Sequence, residues 1–162
     1  MEYAVIIGLL GWLLALIPFI INFRENKRKN DDMLLEKTLK YFERGTIARS
    51  MGISLVDAIW FQRKKHLDVI VPVLINQAQY LFTEADDYAN ERRNLIRLLF
   101  LIEKCLPYSV DSYNENIEIT EIILSAATSP GKIILSDGTL KIWYSKFNNG
   151  NTELFDAEVA DS

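Results

Sequence analysis

Residues 3–22 read YAVIIGLLGWLLALIPFIIN, twenty positions without a charged side chain. At about 1.5 Å of rise per residue such a helix is roughly 30 Å long, the thickness of a bilayer's hydrocarbon core. The stretch therefore predicts one transmembrane helix, and no second apolar run of that length follows it. A cleaved secretory leader fits less well, because no Lys or Arg precedes the run and no small-residue cleavage motif follows. Arg24, Lys27, Arg28 and Lys29 come directly after it. Lys and Arg are retained on the cytoplasmic side, so the expected topology is single-pass, with the N-terminus outside and the rest cytoplasmic, in a bacterial inner membrane.

Inside the run Ala4, Gly8, Gly11 and Ala15 recur at helical spacing, a stripe on which two helix backbones can approach closely in lipid. The stripe predicts helix packing in the membrane and a route to a homo-oligomer. Pro18 predicts a bend near the inner end, since it removes a backbone donor.

The chain carries 18 basic and 22 acidic side chains. Residues 31–162 hold 14 of the basic and 20 of the acidic ones, a net charge of −6. An acidic domain is repelled by an anionic membrane surface and by the nucleic-acid backbone, so general nucleic-acid binding is disfavoured. One cysteine, Cys105, and one histidine, His66, exclude disulfide frameworks and Cys/His metal sites within one chain. Cys105 lies in an apolar helical run and reads as an inert core thiol.

These observations predict an anchor over 1–23, a basic juxtamembrane linker over 24–32 that can also extend the anchor helix, a cytosolic domain over 33–146 and an acidic, disordered tail over 147–162. The fold class expected is mainly α: one N-terminal transmembrane helix, then about five helices and a C-terminal β-hairpin. Leu34, Leu35, Leu39 and Phe42 recur at spacings of three and four, which argues a helix over 32–44. A second helical stretch starts near Thr46, and Ser54 followed by Asp57 suggests a helix start near 54. Pro72 fits the first turn of a helix over 69–82. Thr83 followed by Glu84, Asp86 and Asp87 reads as a capped start of the next helix, with Leu95, Leu98, Leu99 and Ile102 as its buried stripe. Pro107 closes that helix, a polar loop over 108–116 follows, and 117–127 forms one more. In residues 132–144, KIILSDGTLKIWY, two β-prone runs flank Asp137-Gly138, a pair suited to a tight hairpin turn. One face of that hairpin, with Ile134, Ile142 or Trp143, would pack on the helices.

No phosphate-binding glycine loop and no serine-nucleophile elbow is present. Neither enzymatic activity nor a cofactor is expected, and His66 reads as structural rather than catalytic. Asp86 and Asp87 diverge around a helix and read as capping residues rather than an acid/base pair.

Residues 44–54, RGTIARSMGIS, resemble the first half of a helix-turn-helix element, with Ala48 and Gly52 four apart to let two helices cross. Leu55 and Val56 stand where a recognition helix presents polar side chains. Over 44–65 Arg44, Arg49, Arg63, Lys64 and Lys65 against Asp57 leave a local net charge of +4, which predicts contact with nucleic acid or an acidic partner. The function expected first is binding of a protein partner by the cytosolic domain, as regulator, adaptor or assembly factor. A membrane-tethered DNA-binding regulator and an oligomerising membrane effector are the alternatives.

Overall fold

The structure is a computed structural model that describes residues 2–86 and 88–160, with side chains described from residue 17 onward. It divides into two compact units, Met1–Lys37 and Thr38–Ser162. The first consists of helix α1, Glu2–Lys40, whose final turn belongs to the second unit. Pro18 lies inside that helix. Residues 24–32 are helical, so the chain has no irregular linker there. Glu25 stands four residues before Lys29 and Glu36 four before Lys40, a spacing that supports an exposed helix.

The transmembrane anchor expected over residues 3–22 is overturned: among the described residues no helix is long and apolar enough to cross a membrane. Of that stretch, residues 3–16 lie outside the residues whose side chains are described. The single-pass inner-membrane location, the integral membrane as a partner and oligomerisation through a membrane helix all rest on that span and are contradicted with it. Ala4, Gly8, Gly11 and Ala15 lie outside the residues whose side chains are described. Arg24, Lys27, Arg28 and Lys29 are exposed along α1.

In the second unit α2, Thr46–Leu55, runs without a break into a π-helical segment, Val56–Phe61. After it come α3, Leu67–Thr83, and α4, Ala89–Cys105, which pack along each other. A 3-10 turn, Leu106–Tyr108, leads to α5, Ser112–Thr128; α6, Asp137–Phe147, and α7, Glu153–Ala160, complete the chain. On one side α2 lies against α4; on the other α5 lies against α3 and carries α6 and α7. The expected stripe of α4, Leu95, Leu98, Leu99 and Ile102, is fully buried, as are Ile70, Leu74 and Ile75 of α3, which packs along α4, and Ile119 and Ile123 of α5, which packs on α3. Each such side chain contributes about 1.5–3 kcal/mol of transfer free energy. Trp60 of the π segment is also fully buried, and its indole Nε1–H donates to Thr38 Oγ1 at 3.2 Å.

No β-hairpin forms over 132–144, and no strand is present among the described residues. Ser136 instead caps α6: its hydroxyl accepts from the Thr139 backbone N–H at 3.3 Å, and Asp137 lies in the first turn, where the helix dipole favours an acid. Leu140, Trp143, Tyr144 and Phe147 are then buried at i, i+3, i+4 and i+7, a helical stripe, while Ile134 and Ile142 are exposed. The strap before α6 packs tightly. A Cβ at Gly131 would collide with the Phe82 carbonyl oxygen at the end of α3.

The tail expected to be disordered holds α7, with Phe155 buried against Tyr144, ring centroids 5.3 Å apart. The Asn-rich stretch before it is turn chemistry. Asn149 takes the left-handed conformation at φ 52° and Gly150 N–H reaches back to Ser145 O at 2.8 Å, a Schellman closure of α6. Asn151 Oδ1 then accepts from Glu153 N at 2.9 Å and starts α7. Three helix limits also move. No helix starts at Ser54; Pro72 sits beyond the first turn of α3; and Thr83 ends α3, with α4 beginning at Ala89. Asp86 pairs with Lys132 at 2.7 Å rather than capping, and Asp87 lies outside the described residues. The polar loop expected over 108–116 is mostly the first turn of α5.

Candidate functional site

The helix-turn-helix resemblance requires a turn between two helices, and residues 46–61 form none. Gly52 is a close approach within a helix: a Cβ there would meet the Phe42 ring at 3.1 Å and Tyr41 Cβ at 3.2 Å. The five basic residues of that element are dispersed. Arg44 is exposed, as are Arg63 and Lys65. Lys64 Nζ sits between two rings, 3.1 Å from the Phe61 centroid and 3.7 Å from that of Tyr108, a cation–π arrangement.

Arg49 is buried and forms an ion pair with Glu91 of α4. Its Nε donates to Gln77 Oε1 of α3 at 2.9 Å, and its guanidinium lies 5.1 Å from the Tyr80 ring centre. Thr46 Oγ1 donates to Glu91 Oε1 at 2.6 Å and Asn94 Nδ2 to Glu91 Oε2 at 3.2 Å. Burial pushes the Glu91 carboxyl up, but the hydrogen bonds from Arg49, Thr46 and Asn94 outweigh it and leave the group below the usual carboxylate range. The cluster ties α2, α3 and α4 together with its charges consumed internally, so it is a fastening and offers nothing to a ligand. Burial likewise pushes the Cys105 thiol up to about 12, the mark of an unreactive core thiol. His66 packs edge-on against Trp60, with centroids 5.4 Å apart.

Open, ligand-sized space lies elsewhere, on the side of α5 turned toward the α6–α7 corner. A groove of 510 Å3 has Ile117 and Leu124 of α5, Phe147 of α6 and Leu154 of α7 as apolar lining. Tyr113 and Tyr144 add aromatic surface, and Tyr113 is 75% exposed. Asn116, Asn148, Asn149 and Asn151 bring four side-chain amides to the groove. Among the described residues its charged lining side chains are Glu121 and Glu153, both acidic. The volume falls within the usual range for ligand clefts, about 300–1,000 Å3.

None of the residues singled out from sequence lines this groove. The signal for it was a second stripe on α5: Tyr113, Ile117, Thr120 and Leu124 recur at i, i+4, i+7 and i+11, beside the buried stripe Ile119, Ile122, Ile123 and Ala126. Among the described residues no group of three or more His, Cys, Asp or Glu side chains is placed to hold a metal ion. No family model matches the chain, and neither does any curated protein or solved structure.

Proposed function

We propose that the helical unit Thr38–Ser162 is a protein-recognition domain that holds a short apolar and cationic segment of a partner in the groove between α5 and the α6–α7 corner. The observation that carries the reading is the groove's composition. Side-chain amides both donate and accept, which suits the backbone groups of a peptide. Tyrosine supplies contact area at low entropic cost and is enriched where proteins meet. With the acidic Glu121 and Glu153 as its charged lining among the described residues, the groove favours a Lys or Arg beside the partner's apolar anchor and disfavours an acid.

A displayed random-peptide library selected on the full chain tests this. The expected result is a consensus of one or two large apolar residues flanked by Lys or Arg. Binding of the selected peptide should fall about tenfold or more in Ile117→Arg and in the double variant Glu121→Lys, Glu153→Lys. Selection without a consensus, or a consensus whose binding ignores both variants, removes the groove as the recognition site.

A further inference from the structure

A smaller cavity of 140 Å3, away from the peptide groove, lies where α4 meets α2 and the π segment, lined by Ile53, Asp57, Arg97, Phe100, Leu101 and Lys104. Arg97 is its distinctive member. The guanidinium donates from one terminal nitrogen to Ser50 Oγ at 2.7 Å and from the other to Ser54 Oγ at 2.8 Å. Ser54 Oγ donates in turn to the Ser50 carbonyl at 3.0 Å, which holds the two hydroxyls one helical turn apart. Among the described residues no carboxylate lies within ion-pair distance of Arg97, so its charge meets neutral oxygens only. This contrasts with Arg49, whose charge is cancelled by Glu91.

We infer that Arg97 is the seat of an anion site for a small phosphate monoester, whose phosphoryl group is held by the guanidinium and whose organic part rests on Phe100. A guanidinium has five N–H donors in a fixed fork, so donors remain after the two serine bonds, and the Ser50 hydroxyl still has its proton to give. Lys104 supplies a second cation; one of its three donors is committed to Asp57 Oδ1 at 2.9 Å. Phe100 is half exposed and gives the organic part an apolar rest. Size limits the ligand. A volume of 140 Å3 is several times the roughly 30 Å3 share of one water, but below the roughly 300 Å3 at which clefts for drug-sized ligands begin. A phosphoryl group with a few carbons fits, and a nucleotide does not.

Asp57 opposes the anion, and this gives the test a variant whose effect has the opposite sign. Its contact with Lys104 is exposed on both sides, so Asp57→Asn should leave the fold intact. The experiment is calorimetric titration of the full chain with phenyl phosphate and with inorganic phosphate, against chloride at matched ionic strength. Phenyl phosphate is expected to bind more tightly than inorganic phosphate, and Phe100→Ala to erase that difference while inorganic phosphate still binds. Arg97→Gln should weaken both ligands about tenfold or more, and Asp57→Asn should tighten both severalfold. If Arg97→Gln fails to fold, judged by circular dichroism, the Asp57→Asn result decides alone. Binding of phosphate no stronger than of chloride, or unchanged affinity in Asp57→Asn, overturns the assignment.

Discussion

Glu91 and Glu115 are buried to nearly the same depth, 5% and 4% exposed, yet their surroundings move their acidities in opposite directions. Burial pushes both carboxyls up. At Glu91, Arg49, Thr46 and Asn94 donate three side-chain hydrogen bonds, and these win. At Glu115 one bond, from Ser109 Oγ at 2.8 Å, is opposed by like charge from Asp111 and Glu118 on its own side and from Asp68 of α3, so burial wins. Glu115 Oε2 has no hydrogen-bond partner among the described residues. Depth therefore sets only the size of the stakes; the number and sign of the partners decide the outcome.

The sharpest way to break the comparison is Arg49→Met, which strands a buried carboxylate at Glu91. Urea unfolding should show a loss of about 3–5 kcal/mol, partly recovered when Glu91→Gln is added. Next in size, Ser109→Ala removes the single donor to Glu115 and should cost about 1–3 kcal/mol at neutral pH, and less in acid, where the carboxyl is protonated. Glu115→Gln keeps the shape and the acceptor while deleting the charge, so it is expected to stabilise by about 1 kcal/mol at neutral pH.

The pH dependence separates the pair without any mutation having to be large. Glu91 titrates below its unfolded value, so its contribution is present above that value and is lost as pH falls through the folded pKa. Glu115 titrates above its unfolded value, so stability is greatest with the proton bound and is lost as pH rises from the unfolded pKa through the folded one. Chemical denaturation across the acid range should give Glu91→Gln a shallower loss on acidification than the parent. In Glu115→Gln the opposing slope should vanish. Equal profiles for the two variants would mean that partner number does not govern these sites.

How much of this was readable in the sequence depends on the range of the interaction responsible. The α4 stripe follows from a local 3.6-residue period and was legible, as was the inert character of Cys105. Residues 132–144 read as a hairpin because Asp137-Gly138 suits both a tight turn and the start of a helix. What decides between them is Ser136 as a cap together with burial of Leu140, Trp143, Tyr144 and Phe147, and burial is a tertiary fact. Asn148 to Asn151 has the composition of a disordered segment, yet the Asn148 amide donates to Asn151 O, Asn151 Oδ1 accepts from Glu153 N, and Gly150 N–H closes α6 on Ser145 O. Arg49 reads as one of a surface charge cluster because its partner Glu91 lies 42 positions away in the chain. The groove is not legible in the sequence for the same reason, since α5 and α7 meet only in the folded chain.

The π segment has a consequence for the length of the chain. An α-helix advances about 100° per residue, and i→i+5 bonding accommodates one residue more per turn than that winding allows. Everything after Val56–Phe61 is thus turned by about one residue's angle relative to a straight α continuation of α2. Upstream of the extra residue Arg49 points inward to Glu91; within it Trp60 points inward to Thr38. Dropping one residue inside Val56–Phe61 would return that segment to α winding, whereas a deletion inside α2 has no extra residue to absorb it, so the helix's tolerance to a change of length is concentrated in the π segment.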